Sequence, residues 1–212
     1  DTNEHKKYWS KWFAINKTKI HTVYLGINDK KFYPIPPKNK DYFLVHFHGT
    51  YIPLQGALKI ITAAKICANN SKIRFRMIGH GREFPLAKKL AEQYRLNNIE
   101  FIDHNVPLGD LTGYLAVADI VLGIFGDTDK AQRVIPNKVY EGLAAKRAVI
   151  TMDTAAVREI FSNGELLLVQ NDPQSIANGI MTLVRDERLR ADLAWRGYAT
   201  VLKYTPRLVG KQ

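Results

Sequence analysis

The sequence predicts an α/β protein: a Rossmann-like, doubly wound parallel sheet of about six strands with helices on both faces. Two observations predict this fold. After Asp41, apolar runs of about five to seven residues alternate with helical patterns of roughly 10–15 residues, which is typical of parallel strands joined by crossover helices. With 212 residues, 46% of them hydrophobic, the chain is long enough to fill one core.

The predicted strands are short apolar runs spread along the chain. They are Tyr42–His48, Ile73–Ile78, Ile99–Ile102, Ile120–Ile124, Ala148–Thr151 and Leu166–Val169. Between them, apolar residues recur at helical spacing, which predicts helices that cover the sheet. The first two apolar faces consist of Ala57, Leu58, Ile61, Ala64 and Ile66, and of Leu86, Leu90, Tyr94 and Leu96. Further helices are predicted at Leu111–Val117, Lys138–Ala145, Ala155–Phe161, Ile176–Val184 and about Leu189–Leu202.

The first 40 residues do not follow this alternation. Residues 1–17 carry aromatic side chains at helical spacing and predict a peripheral helix, and Lys19–Leu25 is predicted as a strand. Residues 34–40 (PIPPKNK) indicate a stiff, polar linker. The sequence therefore divides into residues 1–33, interpreted as a remnant of a preceding domain, the linker at 34–40, a main domain at 41–202 and a tail at 203–212.

Composition narrows the partners that we expect. The chain has 31 Lys and Arg against 20 Asp and Glu, and the net charge of +11 favours anions such as nucleotides, nucleic acids or acidic lipids. Because the basic residues are not gathered in one arm, we expect no nucleic-acid partner. The single cysteine, Cys67, excludes an internal disulfide and predicts a buried thiol. The chain has neither a membrane-spanning run nor a signal-peptide core, so we expect a cytoplasmic location.

Ligands of doubly wound folds bind beyond the carboxyl ends of the strands, so four strand–helix junctions are candidate binding positions. In FHGTYIPLQG, residues 47–56, Gly49 and Gly56 allow the backbone to approach a phosphate at a helix N-terminus, although tight turns need the same glycines. Gly79-His80-Gly81 has similar properties but lacks the third glycine of the dinucleotide fingerprint. Residues 103–106 (DHNV) offer donors and acceptors for a flat base, and plain turn chemistry explains them equally well.

The fourth junction, residues 123–150, is the most informative. Pro136 is predicted to start a helix, so free backbone N–H groups from about Ile135 to Lys138 would face an anion. Arg133 and Lys138 add cations, which completes the outline of a diphosphate site. Glu141 shares a helix face with Lys138 and can accept hydrogen bonds from a ribose diol, although a surface ion pair between the two is the simpler alternative.

We expect no metal ion and no other cofactor. Asp127-Thr128-Asp129 is interpreted as a loop turn, and the sequence has no histidine set with the spacing of metal ligands.

Four segments, FHGTYIPLQG, MIGHGREF, IPNKVYEGLAAKRAVIT and VREIF, occur in the order found in a known family. Over roughly residues 19–202 the chain resembles the C-terminal, donor-binding domain of GT-B fold retaining glycosyltransferases of group 1 (family 4-like). The segment VYLGINDKKFYP is similar to the interdomain connector of that family. The resemblance implies a metal-independent hexosyltransferase that uses a nucleotide sugar such as a UDP-sugar.

The resemblance also implies partners and a location. The acceptor would be a glycan or a lipid-linked glycan, as in bacterial polysaccharide or lipopolysaccharide biosynthesis, with peripheral membrane contact at the inner face of the membrane. The acceptor would bind to a preceding N-terminal domain that these residues lack. We therefore expect the chain by itself to bind the donor and to be inactive as a transferase.

The junction chemistry and the resemblance together give the predicted site residues. Arg133 and Lys138 are the predicted catalytic cations. The predicted donor-binding residues are Gly49, Thr50, Gln55, Gly79, Gly81, His104, Val106, Val134, Ile135, Pro136, Asn137 and Glu141. Glu141 resembles the second acid of the paired-glutamate motif, which holds the ribose, whereas Arg133 replaces the first acid. Thr50 and Gln55 replace the usual arginine and lysine of the glycine loop.

Other functions use the same architecture. A regulatory module that binds nucleotides or sugar phosphates, or a sugar-nucleotide epimerase, would need a similar phosphate cradle, and transferases of the glycogen and sucrose type are subsidiary alternatives. A nucleic-acid-binding protein is a further alternative, which salt-dependent DNA binding in the presence of a nucleoside diphosphate would reveal.

Overall fold

Six parallel strands form the centre of the computed structural model, which describes residues 1–36 and 40–211. The strands are β1 (Phe43–His48), β2 (Ile73–Ile78), β3 (Ile99–Ile102), β4 (Ile120–Leu122), β5 (Ala148–Met152) and β6 (Leu167–Val169). Their order across the sheet is β3-β2-β1-β4-β5-β6, and every neighbouring pair is parallel. The predicted Rossmann-like fold class is confirmed.

Helices connect the strands and cover both faces of the sheet. They are α1 (Asn3–Trp12), α2 (Ala57–Cys67), α3 (Phe84–Gln93), α4 (Leu108–Ala116), α5 (Asn137–Ala144), α6 (Ala155–Arg158), α7 (Pro173–Arg185), α8 (Glu187–Val201) and α9 (Pro206–Val209). Short 3₁₀ turns lie at Lys17–Lys19, Pro53–Gln55, Ala131–Arg133 and Leu202–Tyr204. Among the described residues, no helix combines the length and the apolarity that a bilayer crossing needs.

The sheet separates two hydrophobic cores. In the first core, α2, α3 and α7 pack against one face, and Val45 and Phe47 of β1 contribute to it. In the second core, α4 and α5 pack against the other face together with Ile27 and Phe32 from the N-terminal segment. Because side chains alternate along a strand, His46 and His48 of β1 point to the face opposite Val45 and Phe47.

Several predicted element boundaries are wrong. Lys19–Leu25 is not a strand: Lys19 ends a 3₁₀ turn, and residues 20–25 have no regular structure and pair with no strand of the sheet. The helix α3 ends at Gln93, since Arg95 adopts a left-handed conformation with φ 53°. Leu86, which was assigned to an apolar face, is 54% exposed. The helix α6 ends at Arg158 instead of continuing to Phe161.

The segments at the two ends of the chain contact each other and the sheet domain. The backbone N–H of Ile27 donates to the carbonyl oxygen of Tyr204 at 2.9 Å. The phenol of Tyr24 donates to the Glu159 carboxylate at 3.0 Å. Positions 37–39 of the predicted linker at 34–40 lie outside the described residues. The division into residues 1–33, 34–40, 41–202 and 203–212 stays a prediction.

A glycine substitution tests the close backbone approach at the ends of β1 and β2. Gly79 has φ +124°, and a Cβ atom there would lie 2.0 Å from the carbonyl oxygen of Gly49. We expect Gly79→Ala to lower the free energy of unfolding by about 1–3 kcal/mol, because alanine must adopt a strained backbone in an occupied space. Urea denaturation measures this change.

Gly113, in the exposed middle of α4, supplies the control. A Cβ atom at this position has no neighbour within 4 Å, so Gly113→Ala is expected to raise stability by about 0.5–1 kcal/mol. Equal effects of the two substitutions would contradict the close approach of the loops.

Candidate functional site

The strand order reverses between β1 and β4, and a cavity opens at the carboxyl ends of these two strands. In sheets of this type the chain leaves the two central strands in opposite directions, which creates a crevice for ligands. The cavity has a volume of about 440 Å³. It is lined by the loop after β1, the segment before α5, the first turns of α5 and two residues near the N-terminus.

The loop after β1 contains a glycine that permits close contact with α5. A Cβ atom at Gly49 would lie 2.7 Å from Nζ of Lys138 and 3.0 Å from Oε1 of Gln55. The backbone N–H of Gly49 donates to the carbonyl oxygen of Ile78 at 3.0 Å, which holds the loop against β2. Any larger residue at position 49 would therefore displace the lysine from the cavity wall.

The N-terminus of α5 opens into the same cavity. Pro136 is the N-cap, with φ −72°, and within the described part of the chain no side chain caps this end. The first backbone bond of the helix runs from N–H of Val139 to the carbonyl oxygen of Pro136 at 3.0 Å. The N–H groups of Asn137 and Lys138 precede this bond, so they and the positive end of the helix dipole are available to an anion.

Lys138 is a buried cation at this helix end. The residue is 5% exposed, its ammonium group donates to Oε1 of Gln55, and Nζ lies 4.0 Å from the centroid of the Phe47 ring. Burial lowers the pKa of Lys138 to about 7, whereas the nearby Glu141 acts in the opposite direction. An anion bound beside the ammonium group would restore its full charge, so the site favours anions.

Glu141 lies one turn further along α5 and is also mostly buried. Its Oε2 atom is 2.8 Å from Nε2 of His48, and its side chain is 13% exposed. Burial raises the pKa of Glu141 to about 7, and Lys138 opposes this shift. The carboxylate contacts His48 instead of forming a surface ion pair with Lys138, so the simpler alternative for these two residues does not hold.

Two histidines lie next to Glu141 and extend from it into the protein interior. Nδ1 of His48 lies 3.0 Å from Nε2 of His46, which is fully buried. Burial, with a smaller contribution from the charge of Lys138, lowers the pKa of His48 to about 3. Burial also lowers the pKa of His46 well below its usual value. Both imidazoles are therefore neutral at pH 7.

Most of the predicted site residues meet in or beside this cavity. Those that line it are Gly49, Thr50, Gln55, Val134, Ile135, Pro136, Asn137, Lys138 and Glu141. Gly79 and Val106 line an adjoining cavity of about 160 Å³ that shares His48, Gly49 and Thr50 with the first. Gly81 and His104 line neither of these two cavities. Gly81 packs on the loop backbone, since a Cβ atom there would lie 2.7 Å from N of Tyr51.

Arg133 takes a position different from the one that we expected. Its guanidinium carbon lies 3.7 Å from the centroid of the Tyr8 ring on α1, and its side chain is not part of the cavity lining. The 3₁₀ turn Ala131–Arg133 directs it there, and the Thr2 hydroxyl donates to the carbonyl oxygen of Arg133. Lys130 lines the cavity instead. The role assigned to Arg133 stays a prediction.

Sequence reasoning did not identify several residues of the site. Asp1, His48 and Lys130 are the polar ones among them, and Leu25, Ile52 and Leu54 complete the lining. The spacing of His46 and His48, two residues apart directly before Gly49, was a usable signal, because it places both on one face at a strand end. Lys130 gave no comparable signal, since its position depends on the course of a loop.

Other polar side chains near the site pair with one another and do not line the main cavity. His80 and Asp103 form an exposed pair at 2.7 Å, and Asp127 accepts hydrogen bonds from Lys59 and Asn171. Within residues 1–36 and 40–211, no group of three or more His, Cys, Asp or Glu side chains has an arrangement that could hold a metal ion.

Comparison of the sequence with known families and proteins gives a consistent result. The family described as glycosyl transferases group 1 matches residues 28–200. The chain is similar to an uncharacterised glycosyltransferase of Methanocaldococcus jannaschii, with 22% identity over 190 residues, 85% of this chain and 48% of the relative. The chain thus spans about half the length of this relative.

Solved structures share the fold. The C-terminal domain of the group 1 glycosyl transferase LpcC from Francisella tularensis matches with a TM-score of 0.71 and 24% identity, covering 85% of this chain and 100% of that one. The Anabaena protein HepE, whose structure contains UDP and glucose, matches with a TM-score of 0.83 and 15% identity. The latter match covers 100% of this chain and 60% of that chain.

The burial of Glu141 predicts a pH-dependent cost to stability. Because its pKa is about 7 in the folded protein against 4.5 in the unfolded chain, the unfolded state loses its proton first as pH rises. Stability is therefore lost between pH 4.5 and 7. Glu141→Gln removes this cost, and we expect it to raise the free energy of unfolding at pH 8 by about 1–3 kcal/mol.

Urea denaturation of both proteins at several pH values measures the effect. The advantage of the glutamine variant should shrink as pH falls from 7 toward 4.5, because the wild-type carboxyl group is then neutral when folded. An advantage that is independent of pH would contradict the burial of an ionisable Glu141.

Proposed function

This chain belongs to the group 1 glycosyl transferases, and we propose that it is the donor-binding domain of a retaining member that moves a hexose from a nucleotide sugar to an acceptor. One observation supports this proposal most strongly. The uncapped end of α5, the buried ammonium group of Lys138 and the carboxylate of Glu141 all lie on the wall of one cavity at the strand reversal. These groups match the diphosphate and the ribose of a nucleotide sugar in charge and in hydrogen-bonding type.

In the proposed complex, the diphosphate lies at the N-terminus of α5. The N–H groups of Asn137 and Lys138 donate to phosphate oxygens, and Lys138 and Lys130 supply positive charge. Thr50 and Gln55 occupy positions where the family usually has cationic side chains. The ammonium group of Lys138 contacts Gln55, so a cation from the helix supplies the charge that the loop lacks.

The chemical role of these groups follows from the charge that develops during transfer. The bond between the anomeric carbon and the phosphate oxygen breaks, and its electron pair stays on the diphosphate, while the sugar becomes oxocarbenium-like. The acceptor hydroxyl oxygen then bonds to the anomeric carbon on the same face, and its proton passes to the oxygen of the leaving diphosphate. Fixed N–H groups and Lys138 stabilise the leaving diphosphate without reorganisation, which lowers the barrier.

Glu141 and the adjoining cavity form the proposed binding site for the nucleoside. The Glu141 carboxylate accepts hydrogen bonds from the ribose hydroxyl groups in the proposed complex, and the base occupies the cavity lined by Gly79, Asn105 and Val106. The HepE structure, which holds UDP and glucose, supports a UDP-sugar as the donor. We propose that the reaction needs no metal ion, because Lys130, Lys138 and the helix end provide the positive charge.

The acceptor in this proposal binds outside these residues. We propose a glycan or lipid-linked acceptor of bacterial surface polysaccharide or lipopolysaccharide synthesis, bound to a separate N-terminal domain. The net charge of +11 supports a cytoplasmic location with peripheral contact to the anionic inner face of the membrane.

Substitution of Lys138 tests the diphosphate site. We expect Lys138→Met to weaken UDP binding by about 1–3 kcal/mol, roughly 5- to 150-fold, because a charge-assisted hydrogen bond is lost. Arg133→Gln is expected to have a smaller effect, since the Arg133 side chain packs on Tyr8. Isothermal titration calorimetry with UDP, with and without EDTA, measures both.

Lys146→Met is the matched control, because Nζ of Lys146 lies 4.3 Å from the Trp195 ring and outside the cavity lining. An affinity for UDP that is unchanged in Lys138→Met would remove the proposed diphosphate site. A requirement for a divalent cation in the EDTA titration would contradict the metal-independent reaction.

A second test concerns the activity of the chain by itself. We expect it to bind UDP-sugars but to transfer little or no sugar, because the proposed acceptor site lies on another domain. Chromatography of reactions with UDP-glucose and oligosaccharide or lipid acceptors measures transfer. Sugar transfer at an enzymatic rate by these 212 residues would contradict the proposal that the acceptor site lies on another domain. Isomerisation of the UDP-sugar without an acceptor would indicate an epimerase.

A further inference from the structure

Three polar side chains form a row beneath the cavity, and the proposed function uses only the last of them. His46 Nε2 lies 3.0 Å from His48 Nδ1, and His48 Nε2 lies 2.8 Å from Glu141 Oε2. His46 is fully buried, and the His48 and Glu141 side chains are 11% and 13% exposed. Buried polar groups of this kind are costly unless they are well paired, so the row requires an explanation.

Rigid elements hold the three groups in line. His46 and His48 are two residues apart on β1, so they share one face of the central strand. β1 pairs with β2 on one side and with β4 on the other, which fixes both histidines in the middle of the sheet. Glu141 comes from α5, which packs on this face and contributes to the second core. A contact between such elements is well suited to fixing the orientation of a side chain.

The direction of the hydrogen bonds follows from the protons available. A neutral imidazole has one N–H group and one acceptor nitrogen, so a row of two such rings can point in only two directions. In the first, His46 Nε2–H donates to His48 Nδ1, and His48 Nε2–H donates to the carboxylate of Glu141. In the second, a protonated Glu141 donates to His48, which donates to His46, and Nδ1 of His46 then carries a proton.

The surroundings of His46 distinguish these two directions. Nδ1 of His46 is buried and has no hydrogen-bond partner among the described residues. In the second direction this atom would be a buried N–H donor without an acceptor, which is a rare and costly state. The missing acceptor at Nδ1 of His46 therefore favours the first direction, in which His48 donates to Glu141.

We propose that His48, oriented by His46, is a positioning residue that holds the Glu141 carboxylate as a ready acceptor for the ribose hydroxyl groups of the donor. This inference rests on the proposed function, since it assigns Glu141 to the ribose. His48 occupies Oε2 of Glu141 and leaves Oε1 for the ligand. Without this bond, Glu141 is free to rotate or to take up a proton, and in either case it presents a poorer acceptor. His48 thereby determines selectivity for ribonucleotides.

The test compares UDP with 2′,3′-dideoxy-UDP, which has the same base and diphosphate but no ribose hydroxyl groups. We expect the wild-type protein to bind UDP about 10- to 100-fold more tightly, the effect of hydrogen bonds to a charged acceptor. In His48→Phe, which removes the donor at similar size, this ratio should fall about tenfold or more while the affinity for dideoxy-UDP stays the same. In His48→Gln, whose amide again offers an N–H group, the ratio should largely return.

Each outcome of the calorimetric titrations is decisive. An unchanged ratio in His48→Phe would overturn the positioning role and leave the donor site intact. A parallel loss of affinity for both nucleotides would also overturn it, because His48 would then act on the structure of the whole cavity. If the wild-type protein bound both nucleotides equally, Glu141 would not hold the ribose. If it bound neither, the proposed function itself would fail.

A measurement on the wild-type protein keeps the proposal testable if His48→Phe does not fold. The ¹⁵N chemical shifts of the imidazole nitrogens report which nitrogen carries the proton. We expect both His46 and His48 to be neutral with the proton on Nε2 at pH 7. A His48 ring protonated on Nδ1 instead would reverse the direction of the row and overturn the proposal.

Discussion

The site depends on the electrostatics of one helix end. Pro136 begins α5 without a side-chain cap among the described residues, and the helix then buries Lys138 and Glu141 within its first two turns. Open N–H groups, a desolvated ammonium and a desolvated carboxylate all carry a free-energy cost in the absence of a ligand. A ligand with an anionic end and a hydroxyl-bearing end offsets these costs. The same burial that weakens the empty protein would therefore strengthen the binding of the proposed nucleotide sugar.

The sheet makes this arrangement possible by bringing distant segments to one edge. The carboxyl ends of β1 and β4 lie side by side at the reversal of strand order, so the loop with Gly49 and the start of α5 face each other. The loop can approach closely because Gly49 and Gly79 have no side chains. A Cβ atom at either position would collide with Lys138 or with the backbone of the neighbouring loop. Loop glycines and the buried lysine thus form one structural unit.

The departures from the usual family pattern become intelligible in three dimensions. Gln55 stands where the family has a lysine, yet its side chain accepts a hydrogen bond from Lys138, so the cation comes from the helix instead of the loop. Arg133 stands where the family has an acid, and it stacks on Tyr8 of α1 outside the cavity lining. The Arg133 side chain therefore contacts α1, whereas Glu141 remains in the cavity with His48 as its neighbour.

The sequence by itself determined how strands and helices alternate along the chain after Asp41, and it placed the start of α5 near Pro136. Both features depend on local periodicity and backbone preference. It also indicated that Lys138 and Glu141 share a helix face, which follows from their spacing. The contacts of Arg133 with Tyr8 and of His48 with Glu141 join residues far apart in the chain, so only the tertiary structure decided them. The same holds for Lys19–Leu25, whose strand-like composition does not lead to pairing with the sheet. Local preferences act along the chain, whereas hydrogen-bond partners, burial and charge neighbours are set by how the elements pack.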